Sequence, residues 1–216
     1  MLNKILNSRL LDLFVIYLIL QILLSVIFNN LILTDRLYFE SYQNVLNDKQ
    51  ILKFLDIKDN FQFLSYLFLS IISFIRIFTV TIIIYLGIYL FNLKSSLISI
   101  SKIVIFFDLL FVVPIVLKFL WFFFSNEKYT LEDVQFFSPG SILTLINNRT
   151  IESIWIYPLQ LLNIFEVSYW ILLAYGISKL INNDFDKALK IVLSSYLPAL
   201  IIWVVFVMFL TVTLNP

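Results

Sequence analysis

The chain has no cysteine and no histidine. Those two absences exclude disulfides, thiolate and imidazole metal sites, haem held by His or Cys, and Cys-ligated iron–sulfur clusters. They also exclude nucleophiles activated by a histidine base. Glycine occurs only at Gly87, Gly140 and Gly176 in 216 residues. No P-loop, G-x-G-x-x-G phosphate cradle or G-x-x-x-G packing motif can be written from so few. With so little Gly and Ala, the helices are expected to pack through bulky Leu, Ile and Phe rather than approach closely. Charge is scarce too. Charged residues are 13% of the chain, the net charge is +1, and no basic patch suits nucleic acid. No carboxylate pair has a spacing that argues hydrolysis. The sequence therefore leads us to expect no cofactor, no metal, no nucleic-acid partner and no enzymatic activity.

Apolar residues are what the chain has in excess, at 61%, with 18% aromatic. A typical globular chain holds roughly 45–50% apolar residues. Mean hydropathy is +0.97. A chain of this length cannot hide so much apolar surface from water, so lipid must be its main solvent.

Five apolar runs, at about 10–33, 64–91, 102–124, 157–180 and 190–214, are long enough to cross a bilayer as helices. None alternates with period two, so they do not read as barrel strands. The expected fold is a single all-α transmembrane domain, a polytopic bundle of five membrane helices. The run before residue 91 is longer than one crossing needs and is expected to tilt or project. Pro114 and Pro198 lie inside the third and fifth runs, where each removes a backbone donor and favours a kink. No small-residue cleavage site follows the first run, so it reads as a retained helix rather than a signal peptide.

Basic residues orient the bundle. With the N-terminus inside, Lys4, Arg9, Lys94, Lys102, Lys179, Lys187 and Lys190 lie inside, and Arg36, Lys49, Lys53, Lys58, Lys128 and Arg149 outside. The inside segments are much shorter and their basic residues sit at the span ends, where the positive-inside rule acts. This places the C-terminus outside, with outside loops at 34–63 and 125–156. Within the first loop, Val45, Leu46, Ile51, Leu52, Leu55 and Ile57 suggest a short amphipathic helix over 44–57 on the membrane surface. In the second loop, Ser138-Pro139-Gly140 reads as a turn before a helix over 141–146, with Ser138 as its cap. Asn148-Arg149-Thr150 matches a glycosylation sequon, a triplet that arises often by chance. Asp184 or Asp186 is suited to the N-terminus of the last helix. Trp121, Trp155, Tyr157 and Trp170 suit an aromatic belt.

An ionisable residue inside a span is costly and marks a place of interest. Arg76, Asp108, Lys118 and Glu166 qualify. With inner boundaries near Phe91, Ser101 and Leu180, a helical rise of 1.5 Å per residue puts Arg76, Lys118 and Glu166 about 21–26 Å up, and Asp108 only about 10 Å. The expected cluster is therefore Arg76, Lys118 and Glu166, with Glu166 pairing first with Arg76. Asp108 and Asn163 form a possible secondary polar site, Asn163 and Glu166 sharing a helix face. An internal salt bridge that fixes helix register is the ordinary reading. A proton or ion relay and a contact with lipid or a partner are the alternatives.

The stretch from 159 to 198 contains N-x-F-E-x-x-Y-W, a Gly-Ile-Ser-Lys turn and a Lys-Ala-Leu start to the last helix. Asn163, Phe165, Glu166, Trp170, Gly176, Lys179, Lys187, Ala188 and Leu189 carry the pattern. With Leu93-Lys94-Ser95-Ser96 upstream, it resembles the Yip family of five-span membrane proteins over about 93–210. The resemblance implies five spans and an inside N-terminus. In eukaryotic relatives it implies a role in vesicle traffic and binding to small GTPases through the membrane domain. Only about nine residues precede the first span here, which argues against GTPase binding. Richness in Ile, Asn, Lys and Phe suggests an AT-rich genome and a bacterial inner membrane. The expected function is a non-enzymatic accessory or scaffold subunit of a larger inner-membrane or cell-envelope assembly, with other integral membrane proteins and lipids as partners. The rival is a small transporter or permease subunit that uses the intramembrane charges.

Overall fold

The computed structural model describes residues 2–125, 128–146, 151–182 and 184–214. The sequon at 148–150 lies outside them. Among the described residues the chain is helical, with no strand beyond one isolated bridge between Ser141 and Asn163. The helices are α1 (Leu2–Asn7), α2 (Leu10–Leu31), α3 (Asp35–Tyr42), α4 (Asp48–Leu90), α5 (Leu97–Asp108), α6 (Val112–Phe124), α7 (Leu131–Phe136), α8 (Ser153–Leu161), α9 (Ile164–Leu180) and α10 (Phe185–Leu214). Four helical stretches are long and apolar enough to cross a membrane: α2, α4, α5 continued through α6, and α10.

Local chemistry sets these boundaries. The Asn47 side chain accepts from Gln50 N–H while Gln50 Oε1 accepts from Asn47 N–H. This capping box starts α4, and no proline interrupts the 43 residues that follow. Asn92 ends it with φ of 56°, its N–H donating to the Tyr89 carbonyl and that of Leu93 to Ile88. This is the left-handed cap usually made by glycine. Asn182, with φ of 47°, follows α9 in the same way. Asp184 precedes α10 and its carbonyl accepts from Ala188 N–H, while Asp186 lies in the first turn, near the positive end of the helix dipole.

The outer segments differ from expectation. Residues 48–63 are not a separate surface helix but the first turns of α4, because the capping box sits at Asn47 and nothing breaks the helix before the span. The segment 157–180 is not one helix. It divides at Leu162-Asn163, where the Asn163 side chain accepts from Glu166 N–H at 2.8 Å and restarts the helix as an N-cap. Residues 142–145 form a short 3-10 helix, and Ser138 contributes its carbonyl, not its hydroxyl, to Ser141 and Thr144. Gly140, with φ of 72°, lets this turn lie against the break: its carbonyl accepts from Ile164 N–H, and Leu162 accepts from Ile142 N–H. A second interruption is the 3-10 turn Leu109–Phe111 between α5 and α6. It falls just before Pro114, whose ring conflicts with the carbonyl four residues back, at Leu110.

The main core unites Tyr17 of α2, Ile77, Val80, Ile84 and Ile88 of α4, Ile100–Phe107 of α5, Tyr169–Ile177 of α9 and Ala188–Tyr196 of α10. The pairs Glu166–Tyr196 and Tyr157–Trp203 run in opposite order along α8–α9 and α10, so those helices are antiparallel. A smaller cluster of Ile32, Leu37, Phe122 and Val134 ties α3 and α7 to the ends of α2 and α6.

Contrary to the expectation of bulky packing throughout, two of the three glycines sit at helix crossings. A Cβ on Gly87 would meet Ser195 Oγ of α10 at 2.6 Å, and one on Gly176 would meet both Ile103 Cγ2 and Phe107 Cε2 of α5 at 2.6 Å. Ile103 and Phe107 are themselves buried and have little room to yield. Gly176→Ala is therefore expected to lower thermal stability in detergent. Overpacking costs about 1–3 kcal/mol, against at most about 1 kcal/mol gained in helix propensity. An unchanged or raised melting temperature would show that α5 and α9 do not cross here.

Candidate functional site

The two buried carboxylates among the described residues, Asp108 and Glu166, lie where α2, α4, α5, α9 and α10 meet. Asp108, at the last residue of α5, is fully buried. Its Oδ2 accepts from the Tyr17 hydroxyl of α2 at 2.6 Å, and that hydroxyl in turn accepts from Gln21 Nε2 at 2.9 Å. Its Oδ1 faces Arg76 Nη2 of α4 at 3.1 Å, a charge contact outside hydrogen-bond alignment. The Arg76 guanidinium lies over the ring of Phe111, 4.1 Å from its centroid, and 6.0 Å from that of Tyr169. Stacking of this kind suits a planar, weakly hydrated cation removed from water.

Glu166 forms the second half. It is buried, and its Oε1 accepts from Trp170 Nε1 at 3.0 Å and from the Tyr196 hydroxyl of α10 at 2.8 Å. Tyr169 joins the halves, its ring 5.0 Å from Phe111 and 5.8 Å from Tyr196. The Tyr169 hydroxyl is buried and makes no hydrogen bond among the described residues.

Arg76 thus takes Asp108, not Glu166, as its ion-pair partner, and the residue assigned to a secondary site is the centre of the cluster. The depth reckoning placed the start of the third span too high. Helix α5 begins at Leu97, so Asp108 stands roughly 17 Å along it, while Arg76 stands roughly 21 Å from the end of α4 at Leu90. The guanidinium spans the small remainder. Lys118 is not part of the cluster. It lies beyond the 3-10 turn on α6, half-buried, with no ion pair among the described residues. Asn163 belongs to the Glu166 half, but as the cap of its helix rather than as a facing side chain. Tyr17, Gln21, Tyr169, Trp170 and Tyr196 were not read as site residues. The helical offsets Tyr17–Gln21 and Glu166–Trp170, each of four residues, were the available signal. Trp170 donates to Glu166.

Outside the spans, Lys58 bonds Asp35 Oδ1 at 2.5 Å, lies 3.6 Å from Asp59, and sits 4.7 Å from the Tyr38 ring centroid. Burial draws its pKa down, but these carboxylates outweigh that and hold it above the usual lysine range. Among the described residues no three Asp or Glu gather to hold a metal ion.

No family model, curated protein or solved structure matches the chain.

The two halves answer differently to loss of charge. Asp108→Asn leaves the guanidinium without its counter-charge, at a cost of ~3–5 kcal/mol for a buried pair. Arg76→Gln in the same chain should recover part of that loss. Glu166→Gln keeps an acceptor for Trp170 and Tyr196 and should cost clearly less. Melting of the three variants in one detergent checks the order; a Glu166 variant weaker than Asp108→Asn would reverse the assignment.

Proposed function

We propose that the chain is a five-span integral membrane protein, N-terminus inside and C-terminus outside, that acts as a non-enzymatic scaffold or accessory subunit of a larger membrane assembly. The observation that carries this reading is the length of α4. Its 43 residues extend about 64 Å, roughly twice the ~30 Å hydrocarbon core. The projecting turns bear Leu52, Phe54, Ile57, Phe61 and Phe63, all exposed. An amphipathic arm that exposes these apolar side chains beyond the bilayer suits another membrane protein better than water. The most apolar window of α10 has none of its residues buried within the chain. That helix has a full face left for lipid or a partner.

The topology draws support from the connections. Residues 91–96 and 181–184 are short, so α4 and α5, and α9 and α10, meet at the same end, and Lys94, Lys179, Lys187 and Lys190 cluster there. Helix α9 alone is 17 residues, about 26 Å, and α8 before the break supplies the rest of a crossing. The resemblance to the Yip family fits five spans. The composition favours a bacterial inner membrane.

Purification from the native membrane in mild detergent should bring down a stable membrane partner, and cross-linkers placed at positions 54 and 61 should reach it. A clean monomer that cross-links to nothing would count against the scaffold. Single cysteines introduced into this cysteine-free chain report the topology. Positions 94 and 187 should resist an impermeant reagent added outside, and positions 48 and 132 should react. Outside labelling at 94 would invert the orientation.

A second reading, a small transporter, rests on one observation. Both backbone interruptions, at Leu109–Phe111 and at Leu162-Asn163, abut a buried carboxylate, as the broken helices of transporters do. No sequence repeat pairs them, and both carboxylates are already engaged. Proton flux through reconstituted vesicles that disappears in the Glu166→Gln variant would favour this second reading.

A further inference from the structure

We propose that the cleft between the distal ends of α2 and α4 binds the headgroup of an amine-bearing phospholipid. The cleft has a volume of about 780 Å³, within the usual ~300–1,000 Å³ of small-ligand sites. Its wall on α2 presents Ser25, Asn29 and Asn30; its wall on α4 presents Asp59, Gln62 and Ser65. These are polar stripes at helical spacing, the one on α2 standing out in a largely apolar helix.

The stripes do not satisfy one another. Gln62 donates to Tyr66 of its own helix, and Ser25, Asn29, Asn30 and Ser65 make no side-chain hydrogen bond among the described residues. Polar side chains left without partners at the edge of a hydrocarbon layer are unfavourable, so the cleft calls for a polar occupant. Depth indicates which. Asn29 stands 19 residues after Leu10, about 28 Å along α2, close to the ~30 Å thickness of the hydrocarbon core. The amides therefore lie at headgroup level if α2 crosses the membrane from Leu10. Below them α2 and α4 expose Leu23, Phe68 and Ile72, a surface for acyl chains.

Charge narrows the headgroup. The mouth holds one cation, Lys58, between two carboxylates, Asp35 and Asp59. A purely anionic headgroup would meet a net negative rim. An ammonium would find the carboxylates, while its phosphate takes donors from Asn29, Asn30 and Gln62.

The test uses the full chain in mild detergent with short-chain phosphatidylethanolamine, phosphatidylcholine and phosphatidylglycerol, and with free phosphoethanolamine, each scored by native mass spectrometry and thermal shift. Phosphatidylethanolamine should bind at least tenfold more tightly than phosphatidylglycerol, with phosphatidylcholine between them. Asn29→Leu with Gln62→Leu should remove that preference while leaving the lipid-free melting temperature within a few degrees. Asp59→Asn should weaken phosphatidylethanolamine and spare phosphatidylglycerol. Equal binding of all three lipids, binding that survives the double substitution, or a cleft that holds only water would overturn the proposal. Free phosphoethanolamine binding as tightly as the lipid would assign the cleft to a soluble ligand instead. Cysteine labelling at positions 30 and 62 separates failure of the site from failure of the assumption that α2 crosses the membrane.

Discussion

The bundle depends on one constraint: Arg76 enters an apolar helix layer and must find an anion there. Asp108 is that anion, and the pair sets the axial register of α4 on α5. Tyr17 adds α2 to the same carboxylate. The register then propagates along α5. One turn beyond the carboxylate, Phe111 covers the guanidinium and touches Tyr169; the residue just before it, Phe107, meets Gly176 together with Ile103. A shift of one residue in α5 would break the ion pair and drive a side chain into α9 together. A buried ion pair adds little net stability compared with a good apolar replacement, but it penalises wrong registers strongly. That property suits a bundle whose other contacts are interchangeable Leu, Ile and Phe.

The membrane class, the helical class and the approximate position of four long apolar stretches were legible in hydropathy, because a lipid solvent leaves little alternative. So was the burial of Asp108 and Glu166. Pairing was not, because it depended on where α5 starts. The inner boundary near Ser101 comes too late: Leu97 to Ile100 already form helix, and four residues are about 6 Å. Two capping sequences mark helix starts that hydropathy does not show. Asn163-Ile164-Phe165-Glu166 has the spacing of a capping sequence and marks a helix start, where hydropathy shows one continuous run. Asn47-Asp48-Lys49-Gln50 has the same form and announced that α4 begins outside the apolar run. Hydropathy sees only residues that prefer lipid, so it cannot place a cap that lies within or before such a run.

The tyrosines were illegible for a different reason. Tyr17, Tyr169 and Tyr196 sit inside apolar runs whose window averages hide them, yet each carries a hydroxyl that needs a partner when buried. Tyr17 and Tyr196 donate to carboxylates on other helices. The partner can be named only once helix faces are fixed, and the faces here are fixed by the Arg76–Asp108 pair. Sequence order therefore conceals a network that structure makes plain: five helices joined through two carboxylates and three tyrosines.

Packing is not uniform along the bundle axis, and the distribution of small residues and connections explains why. At one end, α4 turns into α5 and α9 into α10 through short segments that use Asn92 and Asn182 in place of glycine. Gly87 and Gly176 lie toward that same end, and each admits a neighbouring helix closer than a Cβ would allow. Toward the other end there is no glycine within the spanning helices, the connections are long, and α2 and α4 separate around a polar cleft. Bulky side chains hold helices apart, and long loops do not pull them together. The Asp35–Lys58 bond and the small cluster around Ile32, Leu37, Phe122 and Val134 then close the splayed end from above. The tight end carries the closest helix contacts, and the open end carries the polar cleft. A change of specificity can therefore accumulate at the open end without disturbing the contacts that hold the helices in place.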